Sequence, residues 1–184
     1  MNKKWISWAK IALFTAFFLF VDQLTKYLAV FHLKGKTDVT LINNVLSLHY
    51  LDGGNTGAAW GIFSGKIIIF IIFTIIAIVL ISFFISNIQR LLWENYSLNS
   101  TPLRILNYSL ALLLAGAAGN LIDRIIHGYV IDFIYFKLIN FPIFNVADCY
   151  VTVSCFIIII ICMFKIDEKD FNRIFSFKRK NSNS

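Results

Sequence analysis

Charged residues and prolines are both scarce in this chain of 184 residues: 15% are Asp, Glu, Lys or Arg, and only two are proline. Hydrophobic residues make up 58%, whereas a soluble domain has roughly 45 to 50%. This composition excludes an ordinary soluble domain and predicts an integral membrane protein. The formal net charge of +7 does not require a nucleic-acid partner, because the charges cluster at the ends of apolar runs, as they do beside membrane spans.

Cysteine is also scarce, and the three cysteines are an odd number. Cys155 and Cys162 lie within an apolar run, which argues against a disulfide framework. Cys149 adjoins Asp148, but a thiol nucleophile needs a neighbouring base and no histidine stands close to it in sequence. The sequence therefore argues against a cysteine hydrolase, and we predict neither a metal site nor a cofactor.

Four apolar runs of about 20 residues are long enough to cross a bilayer. The predicted fold is a single, mainly α membrane domain over residues 1–184, with spans at 11–31, 66–86, 103–122 and 145–164. Alternating apolar positions and turn signals in residues 32–64 predict a small extramembrane β-sheet. Residues 124–144 predict an amphipathic segment lying at the membrane interface. Residues 165–184 predict a solvated cytoplasmic tail.

The distribution of Lys and Arg predicts the orientation of these spans. The N-terminus carries three such residues, the middle connection two and the tail six, against five in the other two connections, namely Lys34, Lys36, Lys66, Arg124 and Lys137. An even number of spans puts both termini on one side. The positive-inside bias makes that side the cytoplasm.

Two Asn-x-x-Asp repeats carry the most unusual polar residues. Asn120 and Asp123 end the third apolar run, and Asn145 and Asp148 begin the fourth. Asn145 with Asp148 also fits a purely structural helix cap. Capping does not explain Asp123, because a negative charge at a helix C-terminus opposes the helix dipole. In the predicted orientation both acids lie near the outer face, where adjacent antiparallel helices would bring them together.

Two carboxylates in close contact and partly out of water cannot both ionise cheaply, so they would share a proton. One could then activate a water for attack on a peptide carbonyl, while the other donates a proton to the carbonyl oxygen and later to the leaving amine. Asn120 and Asn145 each lie three residues before their acid, on the same helix face, and would orient it or bind substrate backbone. Asp132 is a further acid, which we interpret as a positioning or solvated residue.

Two other polar groups allow both a structural and a functional interpretation. Asp22 and Lys26 are four residues apart on one helix face, so they form either a simple ion pair near the membrane boundary or an interior pair that frames a site. The stretch from Asn55 to Trp60 has small residues that would permit close backbone approach. Its alternative interpretation is a plain turn into the next helix.

Five stretches, in order along nearly the whole chain, resemble lipoprotein signal peptidase, also called signal peptidase II, a bacterial inner-membrane aspartyl protease. They are Asp22-Gln23-Leu24-Thr25-Lys26, Asn55-Thr56-Gly57-Ala58-Ala59-Trp60, Gly119-Asn120-Leu121-Ile122-Asp123-Arg124, Val130-Ile131-Asp132-Phe133 and Phe144-Asn145-Val146-Ala147-Asp148. The resemblance implies a catalytic dyad of Asp123 and Asp148. It also implies that other residues support the dyad or line the site: Asn120, Arg124, Asn145, Asn55, Gly57, Asp22, Lys26 and Asp132.

The resemblance further implies the substrate, a prolipoprotein whose cysteine already carries diacylglycerol and which is cut just before that cysteine. Membrane lipid and globomycin-type inhibitors are the other expected partners of what we predict to be a monomer. Two alternatives remain from the residues alone. Intramembrane acids near Lys26 or Arg124 also suit a small proton-coupled transporter, and the small-residue faces suit a non-enzymatic membrane assembly factor.

Overall fold

The computed structural model describes residues 3–57, 66–93 and 100–175. Four of its helices are long and apolar enough to cross a membrane: α1 (Lys3–Leu33), α2 (Ile67–Trp93), α3 (Ser100–His127) and α4 (Val146–Phe164). The predicted four-span, mainly helical fold is confirmed. Ala58, Ala59 and Trp60 of the second stretch lie outside the described residues.

Helix α3 is the central helix of the bundle. It packs against α1, α2 and α4, and half of its most apolar window is buried, against 17% or less in the other three. Small residues allow this packing: a Cβ at Gly116 would stand only 2.7 Å from the backbone oxygen of Ala147. Close contact of α3 with α4 places the two Asn-x-x-Asp repeats beside each other.

The small sheet is antiparallel, with strands β1 (Val39–Ile42), β2 (Leu46–Leu48) and β3 (Ile134–Phe136) in that order. The first two strands confirm the sheet predicted after α1. The third comes from residues 124–144, where an interfacial segment was predicted: β3 pairs with β2 in the register Leu48↔Ile134, and a 3₁₀ turn follows at Lys137–Ile139. The sheet therefore ties the α3–α4 connection to the α1–α2 connection.

The end of α3 and the structure of the tail both differ from the sequence prediction. Helix α3 continues to His127 rather than residue 122, so Asp123 lies one turn inside it. The tail is not wholly solvated, because a further helix, α5 (Glu168–Ile174), packs against α2. Ile174 is 2% exposed, and its carbonyl oxygen accepts a hydrogen bond of 2.9 Å from Asn87 Nδ2. The apolar residues of α5 find a partner face on α2 that their short run in sequence does not reveal.

Candidate active site

A cavity of about 590 Å³ opens where α3, α4 and the two sheet-bearing connections meet. Its polar wall contains most of the predicted site residues, namely Asn55, Gly57, Asn120, Arg124, Asp132 and Asp148. The rest of the described lining is largely apolar and includes Phe141, Pro142, Ile143, Phe144 and Val153. Asp123 is absent from this lining, so the acid that shares the cavity with Asp148 is Asp132.

Asp132 is buried, with 1% of its surface exposed, which contradicts its interpretation as a solvated residue. Asn145 Nδ2 donates to its Oδ1 at 2.7 Å and Asn55 Nδ2 donates to its Oδ2 at 2.9 Å. Burial, reinforced by the charge of Asp148, raises the pKa of Asp132 to about 7, although the two amide hydrogen bonds act in the opposite direction. This carboxyl group is therefore close to half protonated at neutral pH.

Asp148 stands in the first turn of α4, as the third residue of a capping box. Its Oδ2 accepts from the backbone N–H of Asn145 at 3.1 Å, and Asn145 Oδ1 accepts from the backbone N–H of Asp148 at 3.0 Å. The capping interpretation is thus confirmed. Capping does not occupy the whole group, because the side chain also lines the cavity.

Asn120 and Asn145 join the two acids through a chain of amides. Asn120 Nδ2 donates to Asp148 Oδ1 at 2.8 Å. Asn145 Nδ2 donates to Asn120 Oδ1 at 3.1 Å as well as to Asp132, which uses both hydrogens of that amide. Each amide orientation is thereby fixed, but the pairing differs from the sequence prediction, because Asn120 binds Asp148 of the other repeat and not the acid three residues after it.

Asp123 belongs to a separate group, which we call the buried ion cluster: Asp22, Lys26 and Asp123. Lys26 Nζ lies 2.9 Å from Asp22 Oδ2 and 3.0 Å from Asp123 Oδ2, and all three residues are at most 1% exposed. The backbone N–H of Ile131 also donates to Asp123 Oδ2, at 3.1 Å. Helix geometry explains the difference from Asp132, because Asp123 faces α1, whereas Asp132 lies beyond the end of α3.

The buried ion cluster holds α1, α3 and α4 together. Asp22 Oδ1 accepts from the backbone N–H of Ala147 at 3.0 Å, and a Cβ at Gly119 would collide with Asp22 Oδ2. Lys26 Nζ also donates to Asn120 Oδ1 at 2.9 Å. Of the two sequence interpretations of Asp22 and Lys26, the structure therefore supports the interior pair that frames a site.

Asn55 is held in place by the α3–α4 connection. It forms an isolated β-bridge with Val130, with N···O distances of 3.0 and 2.9 Å, and its Oδ1 accepts from the backbone N–H of Gly57 at 3.0 Å. Gly54 has φ +66°, and a Cβ there would collide with the ring of Tyr129. A glycine at position 54 thus lets Tyr129 pack against the turn that presents Asn55.

Arg124 provides the cation of the cavity wall. Its Nη1 lies 3.4 Å from the backbone oxygen of Asn120, and its guanidinium carbon lies 5.3 Å from the centre of the Phe70 ring. Stacking on an aromatic ring holds a guanidinium without neutralising it. Within the described ranges, no group of three or more His, Cys, Asp or Glu side chains could hold a metal ion.

Comparison with known proteins places the chain in a family. The family model described as signal peptidase (SPase) II matches residues 14–164. The chain belongs to the signal peptidase II family. It is 38% identical over 161 residues to the lipoprotein signal peptidase of Clostridium tetani, covering 86% of this chain and 94% of that protein. It is 41% identical over 153 residues to that of Caldanaerobacter subterraneus subsp. tengcongensis, covering 82% and 93%.

Two solved structures of bacterial membrane enzymes have a similar fold. One, obtained by the in meso method at 2.3 Å, has a TM-score of 0.65 and 31% identity, with 94% of this chain and 95% of the other covered. The second, at 1.9 Å, has a TM-score of 0.68 and 32% identity, with coverages of 86% and 95%. As a member of the signal peptidase II family, the chain is a bacterial multi-pass membrane protease that removes signal peptides from lipoprotein precursors.

Sequence reasoning missed two hydrogen-bond donors to Asp123 in this signal peptidase II chain, Gln23 and the backbone of Ile131. Gln23 Nε2 donates to Asp123 Oδ1 at 3.2 Å and to the backbone oxygen of Gly119 at 3.3 Å. The backbone N–H of Ile131 is the other missed donor. A backbone donor leaves no signal in a sequence. The only signal for Gln23 is that a polar amide follows Asp22 inside an apolar run.

Proposed function

We propose that this chain is an aspartyl endopeptidase that cuts diacylglyceryl-modified prolipoproteins just before the lipidated cysteine, with Asp132 and Asp148 as its catalytic pair. This replaces the pair of Asp123 and Asp148 predicted from the sequence. The observation that carries the proposal is that Asp132 and Asp148 line one cavity and interact electrostatically, whereas Asp123 is bound by Lys26 outside that lining.

The two acids are suited to different roles in the first step. Asp148, at the positive end of α4, is the ionised base that takes a proton from a water as the water attacks the peptide carbonyl. Asp132, whose pKa is raised to about 7, is the acid that donates a proton to the carbonyl oxygen. As the C–N bond of the tetrahedral intermediate breaks, Asp148 passes its proton to the leaving amine and Asp132 takes a proton back from a hydroxyl group of the intermediate, so that the carbonyl group reforms. Asn120 and Asn145 keep both side chains in place without neutralising either charge, since amides carry none.

The apolar wall of the cavity supports a lipid-bearing substrate. Phe141, Phe144 and Val153 line the same cavity as the acids, so acyl chains can lie against these side chains while the peptide reaches the polar residues. A lipid anchor would hold the scissile bond at one depth in the membrane and thereby orient it. Globomycin-type inhibitors would occupy the same space.

We further propose that the protein is a monomer in the cytoplasmic membrane, with both termini in the cytoplasm and the cavity near the outer face. Lys and Arg collect in the N-terminal residues, near the end of α2, near the beginning of α3 and in the tail, and this distribution supports the orientation. A proton-coupled transporter is less well supported, because the polar groups of the site collect at one end of the bundle instead of following a path across it.

Cleavage of a purified precursor tests the catalytic pair. The full chain should cut a diacylglyceryl-modified prolipoprotein and leave the unmodified precursor intact, with the new N-terminus identified by mass spectrometry. Asp132→Asn and Asp148→Asn should each lower kcat by about 10³-fold, because each removes a proton-transfer group. Thermal unfolding in detergent should show that both variants remain folded. Asp38→Asn, which changes an acid on the sheet, is the matched control and should cleave normally.

Asp123→Asn distinguishes the two possible pairs. We expect this variant to be less stable than the wild type and to retain cleavage in the fraction that remains folded. Full activity of Asp132→Asn, together with complete loss of activity in a stable Asp123→Asn protein, would return the catalytic role to Asp123.

A further inference from the structure

A second polar cavity lies at the opposite end of the bundle from the acids. Its volume is about 560 Å³, and it is enclosed by the first turns of α1, the end of α2 and the beginning of α3. Its polar lining consists of Ser7, Lys10, Gln89, Arg104 and Asn107. None of these residues takes part in the proposed cleavage, so the cavity calls for a separate explanation.

The charge of this cavity is positive. Lys10 and Arg104 are its ionisable cations, and no carboxylate stands among its described lining residues. The ion pairs of the described residues all lie elsewhere, in the buried ion cluster and on the sheet. Two cations facing one cavity without a described acid favour an anionic ligand.

Asn107 supplies an independent indication of a ligand. It is 2% exposed, lines the cavity, and its Oδ1 has no hydrogen-bond partner in the described part of the chain. Its neighbour Gln89 differs, since Gln89 Oε1 accepts from Ser7 Oγ at 2.7 Å. A buried amide oxygen without a donor is unfavourable, and a hydroxyl group on a ligand would satisfy it.

The cavity adjoins an apolar groove on the helical bundle, because the two spaces share lining residues. Arg104 and Tyr108 line both spaces, and the groove, about 330 Å³ in volume, also contacts Phe14, Leu112 and Ile157. Leu112 lies eight residues after Arg104, or about 12 Å further along the helix axis at 1.5 Å per residue. A free phosphate would occupy only the cavity, whereas a lipid would occupy both the cavity and the groove.

We propose that this cavity and groove bind an anionic glycerophospholipid whose headgroup carries a hydroxyl, of the phosphatidylglycerol type. The phosphate lies between Lys10 and Arg104, the headgroup hydroxyl donates to Asn107 Oδ1, and an acyl chain follows the groove past Leu112. Basic pockets between membrane helices are suited to anionic headgroups. Trp93 lines the same cavity, and tryptophan favours the headgroup level of a bilayer.

Lipid titration of the purified full chain in detergent tests this proposal, with bound lipid counted by native mass spectrometry. The ligands are phosphatidylglycerol, phosphatidylcholine, phosphatidylethanol and glycerol 3-phosphate, the three lipids having the same acyl chains. Phosphatidylglycerol should bind most tightly. Lys10→Gln and Arg104→Gln should each weaken its binding about fivefold, and Asn107→Leu should reduce its affinity to that of phosphatidylethanol, which lacks the hydroxyl. Arg104→Lys should bind nearly normally.

Lys165→Gln is the control, because Lys165 is an exposed cation at the C-terminal end of α4 and outside the cavity lining. The proposal is overturned if this change weakens binding as much as the cavity variants do, or if phosphatidylcholine binds equally well. Glycerol 3-phosphate binding as tightly as the lipid would indicate a free-phosphate site and would also overturn it. Lys10→Gln, which alters an exposed side chain, carries the test if Arg104→Gln does not fold.

Discussion

Two groups of acids lie side by side at one end of this molecule, and they are stabilised in different ways. In the buried ion cluster, Lys26 lies within 3.0 Å of carboxylate oxygens of both Asp22 and Asp123. Asp132 and Asp148, which we call the cavity pair, accept their hydrogen bonds from Asn55, Asn120 and Asn145 instead. Asn120 contacts both groups, since it accepts from Lys26 and donates to Asp148.

This difference supports the proposed division into a structural group and a catalytic group. A carboxylate that is buried beside a lysine forms an ion pair that joins helices. The carboxyl groups of the cavity pair are oriented by neutral amides instead, and none of the ion pairs among the described residues includes them. The cavity pair can therefore change protonation during a reaction, and the buried ion cluster supplies the rigid support for it.

Removing Lys26, the cation of the buried ion cluster, should have the largest effect on stability. Lys26→Met leaves Asp22 and Asp123 buried without a counter-charge, and loss of one partner from a buried ion group costs about 3 to 5 kcal/mol. We expect a correspondingly large fall in the thermal midpoint of the protein in detergent, with loss of cleavage following from loss of structure.

Lys137→Met is the matched control for this change. Lys137 also lies 3.0 Å from a carboxylate, that of Asp38, but both side chains are about one-third exposed. We expect its effect to stay below about 1 kcal/mol. If Lys26→Met lowers stability no more than Lys137→Met does, then the buried ion cluster does not depend on Lys26 for its stability.

The pH dependence of stability should distinguish the cavity pair. The pKa of Asp132 is raised from 3.8 to about 7 in the folded protein, so between these values the folded state holds a proton that the unfolded state has lost. The contribution of this group is therefore fully present at low pH and is lost as the pH rises through about 7. Asp132→Asn should gain about 3 to 4 kcal/mol relative to the wild type between about pH 4 and pH 8.

Thermal midpoints of both proteins across this pH range provide the measurement. Asp38→Asn serves as a control, because the pKa of Asp38 is lowered by its hydrogen bonds with His49 and Lys137 and its contribution has the opposite sign. Parallel curves for the wild type and Asp132→Asn would show that Asp132 titrates as an ordinary exposed acid. The proposed acid role also requires cleavage to decline above about pH 7, since the proton of Asp132 is then lost.

Much of this arrangement could be predicted from the sequence, because it follows from local patterns. The apolar runs predicted the four spans, and the two Asn-x-x-Asp repeats predicted which amides would orient acids. Local patterns did not indicate whether Asp123 or Asp132 shares the cavity with Asp148. Which acid does so depends on Lys26 of α1 reaching Asp123 of α3, a contact between residues almost 100 positions apart that no spacing rule contains.

The burial of Asp132 depends on a second long-range feature, the third strand of the sheet. Ile134–Phe136 is only three residues long and pairs with Leu46–Leu48, far away in sequence. A strand this short has too few residues for an alternating pattern to be recognised. Without that strand, Asp132 falls in an interrupted amphipathic segment at the membrane interface, where an acid is ordinarily solvated.

The smallest expected effect concerns a third acid, which combines a cationic partner with exposure. Asp38 Oδ1 lies 2.6 Å from His49 Nδ1, and its Oδ2 lies 3.0 Å from Lys137 Nζ. These contacts resemble those of the buried ion cluster, but water competes for every group.

Because its pKa is lowered, the contribution of Asp38 to stability is present above the unfolded pKa of 3.8 and is lost as the pH falls below that value. Asp38→Asn should therefore destabilise the protein by less than about 1 kcal/mol at neutral pH, measured as a shift in thermal midpoint that shrinks with added salt. A loss of stability as large as that of Lys26→Met would mean that the cationic partner, and not burial, determines how much an acid contributes to the free energy of unfolding.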